Sequence, residues 1–208
     1  MTGRRSLDPR WALVAVGALT APACAETDDD DPNVAARFEA AEFGPDSAVP
    51  QHTAPDDMHI FDAYVGRFRS MTMHDEAVGK DFHYIVEYSW FDTAHTIVKF
   101  TVSTLYVGDE RASVNADGFY GYDPFNQRLY TFGAFASGMT GFGAVGSFDR
   151  GTGKRITRAR SRGPDGVTTY VRDSFESVDA DTWTDVTSIW RSDGWRVVYR
   201  DTFTRITP

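Results

Sequence analysis

Only one cysteine, Cys24, occurs in the 208 residues. That excludes a disulfide framework and any multi-cysteine metal or iron–sulfur site. Positive charge is also short. Lys and Arg number 21 against 30 Asp and Glu, a net charge of −9 with a pI near 4.9. Phosphate binding wants a basic face, so nucleic acid is not an expected partner. No apolar run reaches the roughly 18 residues of a membrane helix. Leucine is nearly missing from residues 61–208, where Leu105 and Leu129 stand against 17 Thr and 14 Val. What is present is ordinary globular material, with apolar residues plus Gly at about 45%, so wholesale disorder is excluded.

The first 31 residues read as an address. Arg4, Arg5 and Arg10 form a positive n-region, residues 11–20 are apolar, and Ala23-Cys24-Ala25 fits an A-x-A cleavage pattern. This predicts a secretory signal peptide over 1–25, hence export to the periplasm or the exterior. Cleavage leaves 18 basic and 29 acidic residues, a net charge of −11. Two variants stay open. Ala21-Pro22-Ala23-Cys24 approaches a lipobox, which would make the chain a lipoprotein bound to membrane through Cys24, although Ala21 stands where Leu is usual. Arg4-Arg5-Ser6-Leu7 approaches a twin-arginine signal.

Residues 26–57 carry the acid run Asp28 to Asp31 and four prolines, the composition of a solvated linker with at most one short helix near 34–43. Composition changes at Phe61. Residues 61–208 hold 26 of the 29 aromatics, and aromatic and β-branched side chains suit a pleated surface. Turn residues cut this segment at short intervals, among them Asp123-Pro124, Gly163-Pro164-Asp165-Gly166 and Ser192-Asp193-Gly194. The spacing predicts ten strands, near 66–73, 82–91, 96–107, 111–122, 128–136, 141–148, 154–162, 167–178, 181–191 and 195–206. A single helical turn near 56–64 precedes them. All connections are short, which favours an all-β, single antiparallel up-and-down barrel over a Greek key. A barrel of eight to ten strands can hold one small ligand.

The run Phe61-Asp62-Ala63-Tyr64-Val65-Gly66-Arg67-Phe68 resembles the short helix and "vGxW" first strand of calycin-like barrels. Val86-Glu87-Tyr88-Ser89-Trp90-Phe91, Gly121-Tyr122-Asp123-Pro124, Gly146-Ser147-Phe148-Asp149 and the closing 199–205 follow in the order of that group. Over 58–208 the chain thus resembles a bacterial domain-of-unknown-function family of lipocalin-like proteins. It departs from the pattern in having Phe68 where Trp is usual. The resemblance implies a barrel with an apolar cavity and no agreed reaction. Haem-binding members of the wider group use a late histidine, and none follows His95 here.

Several motifs carry chemistry only on paper. Gly141-Phe142-Gly143-Ala144-Val145-Gly146 matches G-x-G-x-x-G, but no helix follows to face a pyrophosphate, so it reads as a glycine-thinned strand. His52, His59, His74, His83 and His95 fit no metal-ligand spacing, and no metal or cofactor is expected. No G-x-S-x-G supports a serine nucleophile. Arg150, Lys154, Arg155, Arg158, Arg160 and Arg162 alternate between faces and read as a solvated, edge-protecting strand.

Three acids stand out. Asp173, Asp185 and Asp201 each sit on the more apolar face of their strand. A three-residue Ser192-Asp193-Gly194 loop would pair Asp185 with Asp201, whereas a two-residue Asp193-Gly194 loop would turn Asp185 outward. Asp185 and Asp201 are the candidate catalytic residues, as an acid–base pair; the alternative is structural bonding to interior donors. Alternation places Tyr84, Tyr88, Trp90, Phe132, Phe142, Tyr199 and Phe203 inside as ligand-binding residues. The expected function is binding of a small, mostly apolar molecule. The alternatives are an isomerase, cyclase or hydrolase using interior carboxylates, and a structural or partner-binding envelope protein.

Overall fold

Buried side chains alternate with half-buried or exposed ones along 154–162, 170–176 and 182–187, as a sheet with one face inside requires. The computed structural model describes residues 55–125, 127–149, 154–191 and 194–207. The predicted signal peptide and nearly all of the predicted linker lie outside the described residues.

A 3-10 helix, Pro55–Tyr64, leads into eleven strands: β1 Gly66–Ser70, β2 Met73–Asp75, β3 Lys80–Trp90, β4 Ile97–Tyr106, β5 Ser113–Asp123, β6 Arg128–Phe135, β7 Thr140–Asp149, β8 Lys154–Arg162, β9 Thr168–Ser177, β10 Thr182–Arg191 and β11 Gly194–Arg205. β1 and β2 both pair with β3, and the five residues from Arg69 to Met73 face only the four from Ile85 to Phe82 on β3. They are therefore one bulged strand. Each strand neighbours the next, and β1 pairs with both β3 and β11. The result is a closed, ten-stranded, up-and-down antiparallel barrel.

The helix closes one part of the interior. A 3-10 helix repeats every three residues, so side chains at i and i+3 eclipse. Met58, Phe61 and Tyr64 form one such line and are fully buried. Phe61 meets the Tyr120 ring at 4.6 Å, and Tyr64 meets Trp183 at 5.8 Å. Trp183 in turn stacks on Phe203 at 4.2 Å. Arg205, near the end of β11, donates from Nη1 to the Val65 carbonyl at 2.7 Å and lies over the Phe68 ring. That contact ties the last strand to the first.

Two expectations need correction here. Phe132 and Phe142 do not point inward; they are register partners on the outer face, 43% and 54% exposed. The inward positions of β6 are Leu129, Thr131, Gly133 and Phe135, and Gly141 and Gly143 of β7 are buried beside them. The interior has no room for more rings on this side. A Cβ on Gly118 of β5 would lie 2.2 Å from the ring of Phe100, its register partner on β4. The basic strand β8 is also not an edge. It pairs with β7 and β9, and Arg155 is its inward cation. The G-x-G-x-x-G segment is strand throughout, as the glycine-thinned reading expects.

Candidate functional site

Register across β8–β11 arranges the inward side chains in rows. One row is Thr157, Asp173, Thr187 and Tyr199; the next is Arg155, Phe175, Asp185 and Asp201. All eight are buried. Asp185 and Asp201 are partners, as the three-residue loop would have made them, but the route differs. Arg191 pairs with Gly194, which alone would put the strands out of phase, and a bulge at Val198 restores the pairing from Thr187–Tyr199 onward.

Arg155 is 1% exposed. Its guanidinium carbon lies 4.1 Å from the Phe175 centroid, 4.2 Å from Tyr64, 4.7 Å from Phe61 and 5.0 Å from Tyr120. Ring faces attract a cation at such distances. Nη2 donates to the Tyr88 hydroxyl at 3.2 Å. An arginine cannot shed its charge, so the aromatic cage holds a permanent cation inside the barrel. Burial raises the phenols of Tyr64, Tyr88 and Tyr120 above the usual tyrosine range, and they stay neutral.

The three acids have different surroundings. Asp201 is satisfied: it accepts from the Tyr199 hydroxyl at 2.6 Å, the Thr202 amide at 2.7 Å and the Met71 amide at 3.2 Å. Burial raises its pKa, and these donors oppose the rise. Because Met71 lies in the break between β1 and β2, Asp201 pins the bulged first strand. Asp185 is fully buried, and neither of its oxygens has a hydrogen-bond partner among the described residues. Burial, then the charge of Asp173, pushes its pKa well up, against the pull of Arg155. Burial raises Asp173 to about 7, with the Thr187 hydroxyl and Arg155 acting the other way. At neutral pH the site therefore holds one cation, a carboxyl near its midpoint in Asp173 and a second carboxyl, Asp185, that burial holds well above the usual carboxylate range.

The opposite wall is apolar. Tyr84, Val86 and Tyr88 of β3, Val98, Phe100 and Val102 of β4 and Leu129 of β6 fill it. Outside Arg155, the helix borders a pocket of about 550 Å³ lined by Asp56, His59, Asp62, Asp149 and Lys154 as well as Arg155 itself.

Of the predicted ligand-binding residues, Tyr84, Tyr88, Tyr199 and Phe203 are buried inside. Trp90 continues their face to the rim, half-buried and stacked on His95. Phe132 and Phe142 instead line an outer groove of about 460 Å³ with Arg160, Arg162 and Tyr170. Sequence reasoning missed Arg155. A usable cue was present: positions 154, 158, 160 and 162 are all basic, so the face of 155, 157, 159 and 161, otherwise Thr, Ala and Ser, is the inward one. No protein-family model and no curated protein matches this chain.

Proposed function

We propose that this protein binds one small, mostly apolar molecule in its barrel, with a hydrogen-bonding edge turned toward Arg155, Asp173 and Asp185. One observation carries the reading. Seven buried polar atoms on β8–β10, spread over three successive register rows, have no hydrogen-bond partner among the described residues: Arg155 Nε and Nη1, Asp173 Oδ1, both Asp185 oxygens, Thr157 Oγ1 and Trp183 Nε1. Each such atom costs about 1–3 kcal/mol. A barrel that only had to pack would carry apolar residues there, as the β3–β6 wall does. The apolar wall suits the body of a guest, and the polar layer suits a carbonyl, hydroxyl or carboxylate on one edge. Native mass spectrometry of chain purified from its own host tests this. The expected result is a co-purifying small molecule, lost in Asp185→Leu and Arg155→Met. Wild-type chain that carries no guest and takes up none from a lipid and metabolite extract would overturn it.

An enzymatic reading has one observation in its favour: Asp185, its pKa pushed well up by burial, lies close enough to Asp173 to feel its charge, and Asp173 is raised to about 7. Groups poised apart in this way suit proton transfer in an isomerase, cyclase or hydrolase. The partner of Asp185 in such chemistry is Asp173 rather than Asp201, whose oxygens are committed to Tyr199, Thr202 and Met71. A bound guest differing in mass from the one supplied would select this reading.

Kinship with the calycin-like family and export belong to the same proposal. The residue order from Phe61 to Arg205 supports the first, and the n-region, apolar stretch and Ala23-Cys24-Ala25 support the second. Intact mass of the exported chain is expected to begin at Glu26. A diacylglyceryl adduct on Cys24 would make it a lipoprotein instead, and retained residues 1–25 would defeat both.

A further inference from the structure

We propose that His59, Asp62 and His95 form a binding site for a divalent transition-metal ion at the barrel rim. The sequence hides it, because His95 lies 36 residues from His59 and no ligand spacing connects them. The fold brings them together. His59 and Asp62 are i and i+3 on the 3-10 helix, the spacing that eclipses side chains. His59 Nδ1 lies 2.9 Å from Asp62 Oδ2. His95 comes from the loop between β3 and β4, with its ring centroid 6.1 Å from that of His59. One ligand atom from each of the three lies within 4.8 Å of the others. Ligands at about 2.0–2.2 Å around one metal ion stand roughly 3.3 Å apart. Small rotations of exposed side chains close that difference.

Two further features point the same way. His95 has a φ of 56°, a conformation that non-glycine residues seldom hold without a reason. The loop is fastened in that shape by Asp92, which accepts from the Thr96 and Ile97 amides and from the Thr96 hydroxyl. The His95 ring is also fixed, lying flat on Trp90 at 4.5 Å with an angle of 4°. Orientation of an exposed imidazole is normally lost to side-chain entropy; here backbone and stacking both restrain it. Two imidazoles and one carboxylate suit Zn²⁺, Ni²⁺, Cu²⁺ or Fe²⁺ rather than Ca²⁺ or Mg²⁺. Three protein ligands leave coordination positions open, the arrangement of a reactive rather than a structural ion. His59 and Asp62 line the 550 Å³ pocket that reaches Arg155, so those open positions border it.

The inference does not depend on a guest in the barrel, and its probe is the metal alone. Isothermal titration of the full chain with Zn²⁺ is expected to show one tight site. His59→Ala and His95→Ala should each weaken it by roughly 100-fold, at or above the loss from removing an outer-shell partner. Asp62→Asn should weaken it less. Cu²⁺ should quench the emission of Trp90 through its stacked His95; Trp90→Phe should remove that quenching and retain Zn²⁺ binding. All three ligands are exposed, so melting temperatures should not change in the metal-free variants. Absence of Zn²⁺ binding in the wild type overturns the proposal. So does an isotherm unaltered by either histidine substitution, which would place the ion elsewhere on this acidic chain.

Discussion

Along β3–β6 the inward side chains are mostly apolar, among them Tyr84, Val86, Tyr88, Val98, Phe100, Val102 and Leu129 with Thr131, whereas along β8–β11 they include Arg155, Thr157, Asp173, Asp185, Thr187 and Asp201. Both walls are equally buried. The first gains about 25 cal/mol for each Å² of apolar surface removed from water. The second takes charges and hydroxyls out of water and leaves several without partners. Buried charges of this kind are seldom a source of stability. The β3–β6 wall together with the helix line Met58, Phe61 and Tyr64 therefore holds the barrel, and the β8–β11 wall is the one to which the proposed function assigns the guest's polar edge. Asp75 makes the contrast sharper. It is buried too, yet it accepts from the Tyr106 hydroxyl at 2.7 Å and from the Ala77 and Val78 amides. The fold satisfies a buried acid where structure alone is at stake.

The largest effect should come from exchanging the two kinds of wall. Phe100→Ala is expected to lower stability by about 3–5 kcal/mol, as cavity-forming aromatic truncations do. Asp185→Leu, with similar burial, should leave it unchanged or higher at pH 7. Urea unfolding of both decides, and a comparable loss in Asp185→Leu would break the division between the walls.

Removing the interior cation should come next. Arg155→Met leaves Asp173 and Asp185 without an opposing charge, and loss of one partner from a buried set costs about 3–5 kcal/mol. The acids can escape by protonation, so the loss should be large at pH 8 and much smaller at pH 5. An equal loss at both values would mean that Arg155 matters through its packing against five rings instead.

A smaller effect follows from Asp173 alone. Its folded pKa is raised to about 7, against about 3.9 in the unfolded chain. Between those values the native state holds a proton that the unfolded state has lost. Its stabilising contribution is therefore complete below about pH 4 and is lost as pH rises through about 7, a few kcal/mol in all. Asp185 acts in the same direction. Thermal melts should show Asp173→Asn flattening the fall in stability between pH 4 and 7.5. An unchanged slope would show that Asp173 is already ionised in the fold.

Asp201→Asn should have the smallest effect, about 1–3 kcal/mol from disturbed hydrogen bonds. It should be accompanied by faster amide exchange at Met71 and Thr202. Full stability with unaltered exchange would return Asp201 to the side of Asp185 as a functional acid.

Period-two alternation and turn chemistry are local, and they determined the strand count, the hairpin order and the helical turn ahead of β1. They also marked the face of β3 bearing Tyr84 and Tyr88 and the inward acids of β9–β11, since there one face is plainly more apolar. Alternation yields two faces but names the inner one only when they differ in character. On β6 and β7 the larger residues, Phe132 and Phe142, went outside, and the inward space over Gly118 and Gly133 is taken by Phe100 of the neighbouring strand β4 and Phe135 of β6. That crowding is set by the register of neighbouring strands, not by the pattern of any one strand. Closure also sent Arg155 into an aromatic cage of five rings drawn from four separate elements. The pairing of Asp185 with Asp201 needed the bulge at Val198, which no turn motif announces. Bringing His95 onto His59 and Asp62 required the helix and the β3–β4 loop to meet at one rim. Residues far apart in sequence become neighbours only through strand register and barrel closure, and these are set by the fit of the whole interior.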